Sequence, residues 1–342
     1  MKTLQLVEIG RPLETRDTPV PEAGSREVLV RVRAAGICHS DAHYQAGAPR
    51  VPFLPLTLGH EVAGIVERIG AEVDQFHPGD RVAVHYLATC GTCRFCREGH
   101  EQFCADGQMM GKHRHGGYAE FVVMPAASLV MVPEGVALAH AAVMMCSTAT
   151  AYHALRRGRL EPGQQVAIIG AGGLGISAVQ LARIMGASQI VAVDIRPDKL
   201  RTAAACGATP VDASQTDPVE AIRALTDGGA DVALDLVGHT GTMIQAIRSV
   251  APRGRAVMVG LPDRELAIDV YRDVLGREAE VIGSSDHLRS ELPAVLEFAR
   301  QGLLDFSQVV TRTVPLEAAP VNEVFDRLHA YQADVRTVIV PA

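Results

Sequence analysis

The chain has 342 residues, 48% of them apolar, and a formal net charge of −7 with both signs interspersed. That length supports two domains with separate cores. The acidic balance excludes nucleic acid as the main partner, because phosphate binding needs a basic field.

Met1–Gly10 lacks the basic and long apolar regions of a signal peptide. No stretch reaches the ~18 uninterrupted apolar residues of a membrane span. The expectation is a cytoplasmic protein whose thiols stay reduced. Along the chain, Val28–Arg33 alternates apolar and basic residues and predicts a half-buried strand. Turn signals punctuate this part at Pro19, Pro21 and His77-Pro-Gly-Asp80, and Gly116–Val123 opens another strand. The N-terminal part therefore reads as β-rich.

Three short stretches in this part carry metal-capable side chains: Gly36-Ile-Cys-His-Ser-Asp-Ala-His43, Leu58-Gly-His-Glu-Val-Ala-Gly64 and Met144-Met-Cys-Ser-Thr-Ala-Thr150. Singly, none makes a site. A lone Cys is commonly a small core hydrophobe, and a lone His a satisfied polar residue.

Cys90–Cys104 is different. It holds four of the seven cysteines in the spacing Cys-x2-Cys-x2-Cys-x7-Cys, at positions Cys90, Cys93, Cys96 and Cys104. Short loops, loosened by Gly91 and Gly99, turn successive sulfurs onto one knuckle. Four thiolates at ~2.3 Å complete the tetrahedron of a structural zinc. An iron–sulfur cluster or disulfides are the alternatives. An odd cysteine count rules out complete pairing within the chain, and a closed four-ligand shell has no position for substrate.

From Gln165 the pattern changes to strand–helix alternation. Val166–Ile169 reads as a strand, Gly170-Ala-Gly-Gly-Leu-Gly175 as a turn, Ile176–Met185 as a helix, and Ile190–Val193 as a second strand closed by Asp194. GxGxxG between strand and helix, with an acid after the next strand, is a dinucleotide fingerprint. Gly170 permits the turn, Gly172 lets backbone approach a pyrophosphate, and Gly175 lets helix and strand pack. Asp194 favours ribose hydroxyls over a 2′-phosphate, while Arg196, in a mobile turn before Pro197, is the cation that takes over if Asp194 is lost. Asp231–Val237 and Arg255–Gly260 read as buried parallel strands, so a doubly wound sheet is expected. Cys206 ends a helical stretch and reads as core packing.

Taken together, the motifs resemble those of the zinc-dependent medium-chain alcohol dehydrogenases from end to end. The resemblance implies an α/β chain: a GroES-like β-rich catalytic domain over 1–147, a Rossmann NAD-binding domain over 148–277, and a return segment over 278–342 that completes a cleft between them. It implies a catalytic zinc on Cys38, His60 and Cys146, and a structural zinc on the lobe 90–104. Asp41 and Glu61 match carboxylates that orient and tune the metal, and Glu61 can also approach it. Ser40 and His43 match a proton relay that passes through the cofactor ribose; read on its own, Ser40 is equally a helix N-cap.

For NAD, the resemblance implies contacts from His39 and the glycines up to Gly173 and Gly175. Thr150 and Leu174 back the nicotinamide, Lys199 lies near the adenosine ribose, and Arg336 binds pyrophosphate; Lys199 and Arg336 also read as surface charges. The implied partners are a small alcohol and its aldehyde or ketone, in a homodimer or homotetramer. A polyol dehydrogenase on the same scaffold and a non-catalytic nucleotide-binding regulator are the rivals; the presence of every ligand and relay position argues against the second. His85 stands where the family often has a large pocket aromatic, Tyr44–Pro49 lacks another common one, and the chain has no Trp. A roomier or more polar pocket is expected.

Overall fold

In the computed structural model, which describes residues 1–332 and 335–342, the chain forms two units. One comprises Met1–Cys146, Leu288–Gln301 and Val310–Ala342; the other comprises Ser147–His287 and Gly302–Val309.

The first unit is built on the strand Glu27–Ile37. It pairs antiparallel with Glu61–Ile69 on one edge. On the other edge its first half meets Phe121–Pro125 and its second half meets Arg336–Val340. Arg81–Val84 and Leu129–Met131 extend the sheet on one side, and Val310–Pro315 on the other. Along the central strand only Arg33 is exposed. The expected alternation over Val28–Arg33 therefore holds only in part: Val28, Leu29 and Val30 are all buried, and a register shift between Leu29 and Val30 breaks the two-residue period. The core gathers Leu4, Val30, Leu58, Val62, Tyr118 and Phe325. Each aliphatic member contributes about 1.5–3 kcal/mol by burial.

The stretch Gly116–Tyr118 is not yet strand. Its amides donate singly to the carbonyls of Thr57, Gly59 and Leu58 at 2.7, 2.8 and 3.0 Å. The strand itself begins at Phe121.

The second unit is a six-stranded parallel sheet. In spatial order its strands are Thr209–Asp212, Gln189–Asp194, Gln165–Ile169, Ala230–Asp235, Val250–Met258 and Glu280–Gly283. Numbered along the chain this is 3-2-1-4-5-6, with the reversal between Gln165–Ile169 and Ala230–Asp235. Ligands of such sheets bind beyond the strand carboxyl ends at that reversal. The helices Gly173–Ile184, Pro197–Ala205, Pro218–Leu225 and Thr240–Ser249 connect successive strands. The sheet does not stop at residue 277 as expected. Glu280–Gly283 pairs with Arg255–Met258 as its sixth strand, so the return to the first unit starts at Leu288, and Gly302–Val309 belongs again to the second. Among the described residues no helix is long and apolar enough to cross a membrane.

Candidate active site

Cys38 is the N-cap of the helix His39–Ala46, and His60 and Glu61 stand at the start of the strand Glu61–Ile69. Cys146 lies in a π-helical turn, Met144–Thr148. Such turns widen a helix locally and recur at functional sites. One donor atom from each of Cys38, His60, Glu61 and Cys146 lies within 4.8 Å of the others. Cys38, His60 and Glu61 are buried and Cys146 is partly so.

The protons of this cluster are shared unevenly. A hydrogen bond from Cys146 holds the Cys38 thiol well below its ordinary range, against burial and with help from Arg336 and His60. Donating that bond, together with burial, pushes Cys146 well above it. Burial disfavours charge on His60, but Asp41 and Cys38 outweigh it and raise the imidazole well above its usual value. Burial lifts Glu61 to about 7, against the pull of Arg336. Thiols, an imidazole and a carboxyl crowded in one largely buried cluster form the donor set of a divalent metal, and sulfur with nitrogen suits zinc.

Asp41 ties the cluster together. Its carboxylate accepts from the Cys38 amide at 3.0 Å and the Tyr118 hydroxyl at 2.8 Å, and faces His60 Nδ1 at 3.1 Å. Nδ1 thereby keeps its proton toward Asp41, and a metal at the cluster would take the place of the proton on Nε2. Tyr118 was not foreseen from sequence. The available signal was Gly59: its φ is +96°, and a Cβ there would overlap the Tyr118 ring. Arg336, expected at the pyrophosphate, has its guanidinium 3.1 Å from Glu61 Oε1 and donates to the Ile37 carbonyl at 3.1 Å.

Ser40 is not the cap of its helix, as one reading had it. Cys38 holds that position, and Ser40 is the second helical residue, its Oγ 3.8 Å from the Cys38 sulfur. His43 is one turn further on, and its ring lies 4.7 Å from that of His39. Burial and His43 hold His39 below its usual range. His85 is buried and stacks on Tyr86; it is the Tyr86 ring, one residue on, that meets His60 edge-on at 5.4 Å.

In the lobe, the Cys104 thiol donates to Cys90 Sγ at 3.5 Å, and the Cys90 and Cys96 sulfurs are 4.0 Å apart. A disulfide needs about 2.05 Å, and all seven cysteines are free thiols. The four lobe sulfurs lie within 4.8 Å of one another. Backbone N–H groups of Thr92 and Cys93 hold Cys90 down to about 6. Amides aimed at sulfur in this way stabilise thiolate, the form that binds metal. Gly91 and Gly99 take positive φ, 71° and 74°, at the two bends.

In the second unit, Gly170 has φ +99°, and a Cβ on Gly175 would overlap the Gly170 carbonyl oxygen. Gly172 is the N-cap of the helix Gly173–Ile184, without a side-chain cap. A Cβ there would meet only Lys199 Nζ, 4.0 Å away. The helix N-terminus thus presents bare amides in a space roofed by an ammonium, which suits a pyrophosphate. Asp194 accepts from the amides of Ala171, Ile195 and Arg196 at 2.8, 2.8 and 3.0 Å. Arg196 is not in a mobile turn: it caps the helix Pro197–Ala205, and its guanidinium is paired with Asp198. Thr150 is buried with Oγ1 3.5 Å from His287 Nδ1, and Leu174 is half-buried in the first turn after the glycines.

Comparison with known proteins gives these features relatives. Residues 24–134 match the alcohol dehydrogenase GroES-like domain, and residues 173–301 match the zinc-binding dehydrogenase domain. An NAD-dependent alcohol dehydrogenase of Sulfurisphaera tokodaii is 37% identical, with all of both chains covered. The structure resembles that of the alcohol dehydrogenase TADH from Thermus sp. ATN1, with a TM-score of 0.93 and 30% identity over all of both chains. It also resembles a zinc-binding dehydrogenase of Sinorhizobium meliloti bound to NADP, with a TM-score of 0.92 and 31% identity over 99% of each. Both kinds of domain match in order and the likeness runs the full length, so the chain belongs to the zinc-dependent medium-chain alcohol dehydrogenase family.

Proposed function

We propose that the protein interconverts an alcohol and its aldehyde or ketone, with NAD as hydride carrier and two zinc ions per chain. Cys38, His60 and Cys146 hold the catalytic ion; Cys90, Cys93, Cys96 and Cys104 hold the structural one. The observation that carries this reading is the buried donor cluster drawn from three distant segments. Zinc, when bound, supplies Lewis acidity toward a substrate oxygen, and NAD supplies the hydride acceptor.

The chain's own residues do the rest. Asp41 fixes the His60 tautomer. Arg336 holds Glu61 by charge, which leaves three protein donors and a fourth position for substrate. Ser40 and His43, three apart on one helix face, carry the substrate hydroxyl proton outward. The amides at Gly172–Gly175 and the Lys199 ammonium bind the cofactor phosphates, and Thr150 and Leu174 bear on the nicotinamide. Asp194 orients the ribose. A similar structure holds NADP, so the choice of NAD rests on this chain's own side chains. Seven free thiols support a reducing, cytoplasmic setting. The open edge at Glu280–Gly283, with Val281 exposed, supports a homodimer or homotetramer.

The test is metal analysis beside a steady-state panel of primary, secondary, aromatic and polyol substrates with both cofactors. Two zincs per chain and NADH formation with at least one alcohol are expected. One zinc in a fully active chain refutes the two-site assignment.

A further inference from the structure

We infer that Asp198 is a specificity-determining residue, excluding a 2′-phosphate by occupying the guanidinium of Arg196. The inference rests on reading Gly170–Gly175 as a dinucleotide loop. Three amides pin the Asp194 carboxylate, one of them from Ala171 within that loop. The carboxylate therefore joins the glycine turn to the end of the strand Gln189–Asp194, where the adenosine ribose is read. Two residues on stands Arg196, and in NADP-binding members of this fold an arginine near that strand end accommodates the 2′-phosphate.

Here that cation is already spoken for. Arg196 Nε donates to Asp198 Oδ1 at 3.1 Å, and Nη2 to Oδ2 at 2.5 Å. This is the two-pronged geometry by which a guanidinium grips carboxylate or phosphate. A phosphate would need the same donors. It would also meet two carboxylates, Asp194 and Asp198, against one arginine. Arg196 holds the Asp198 carboxyl below its ordinary range, so the competing anion stays charged. The pair is on the surface, with side-chain exposures of 29% and 50%, and contributes little to stability. Its geometry bears on recognition. Lys199 stands apart from this contest, since its Nζ lies over Gly172.

A plainer role for Asp198 exists: an acid in the first turn of the helix Pro197–Ala205 complements the helix dipole. The two roles separate in a binding experiment that needs neither catalysis nor zinc. Calorimetry on the full chain compares 5′-ADP with 2′,5′-ADP for wild type, D198N, D198E, R196Q and D198N/R196Q. Wild type should bind 5′-ADP more tightly. D198N should narrow the ratio by about tenfold, the scale of one coupled charge pair. D198E, which keeps the charge, should hold the ratio. R196Q alone should shift it by less than about twofold, and adding R196Q to D198N should erase the D198N gain. A D198N ratio equal to wild type, with 5′-ADP still bound, overturns the role of Asp198. Failure of wild type to bind 5′-ADP overturns the dinucleotide reading and this inference with it.

Discussion

The lobe draws four sulfurs from the fifteen residues Cys90–Cys104, whereas Cys38, His60 and Cys146 come from a helix cap, a strand start and a π-turn far apart in sequence. The lobe has little structure of its own. It contains the four-residue helix Arg94–Arg97 and a three-residue 3-10 turn, and it leaves Phe95 and Phe103 exposed. The cluster sits on a helix cap, a strand start and a π-turn, with Cys38, His60 and Glu61 buried. The same thiol chemistry is thus used for opposite ends. On the proposed assignment, a metal in the lobe would supply folding energy, whereas in the cluster the fold would supply the site and a metal the reactivity.

The comparison breaks first at Cys146. Cys146→Ala should lower kcat/KM by roughly 10³-fold or more, the scale of several kcal/mol of lost charge stabilisation. Its melting temperature should stay within a few degrees of wild type, since the sheet does not depend on the metal. Near-normal turnover with one zinc lost contradicts the assignment. Cys104→Ser should do the reverse: it should destabilise the lobe by several kcal/mol, because closing the shell is what orders these loops. Limited proteolysis within 90–104 and a thermal melt report this. Activity per folded molecule should change far less than for Cys146→Ala. If Cys104→Ser melts like wild type, the lobe folds without metal.

These differences decide what could be read from the sequence. The lobe was legible because its ligands are neighbours and spacing alone constrains the sulfurs. The parallel sheet was legible because a glycine turn, an apolar strand and a helical run follow in order. The cluster was legible only through resemblance: no period links Cys38, His60 and Cys146, and the π-turn that aims Cys146 has no sequence mark. Long-range side-chain partners were missed for the same reason. Tyr118 on Asp41, Arg336 on Glu61 and Tyr86 against His60 are contacts between distant segments that only the fold brings together. The alternation read at Val28–Arg33 failed in part because a register shift between Leu29 and Val30 breaks the two-residue period. The boundary at 277 failed because Glu280–Gly283 is a short strand with no glycine-rich turn to announce it.

Within the cluster, smaller effects sharpen the picture. Ser40→Ala should cost about 10²-fold in rate and alter the pH profile, with cofactor affinity little changed. An untouched rate and pH profile would leave Ser40 as an ordinary helical residue. Asp41→Asn removes the carboxylate that fixes His60, and should weaken metal at the cluster by about 10–100-fold while leaving the lobe metal in place. Chelator competition on the two-zinc protein separates the sites. Equal weakening of both would mean that Asp41 acts on the whole unit.

The smallest effect should come from Tyr118→Phe. The hydroxyl donates to Asp41 Oδ2 at 2.8 Å inside a buried site, and burial and Asp41 both hold it firmly protonated. A hydrogen bond to a charged group is worth about 1.5–3 kcal/mol. Asp41 keeps the Cys38 amide and His60 Nδ1 after the hydroxyl is gone, so the loss should fall at the lower end, about 1.5 kcal/mol. Phenylalanine preserves the ring that Gly59 makes room for, so no cavity opens. The loosened carboxylate should let the cluster release zinc several-fold faster to a chelator, while the lobe releases it at the wild-type rate. Faster release from both sites would assign the hydroxyl to general stability. Unchanged release from the cluster would mean that the other two donors alone hold Asp41 in place.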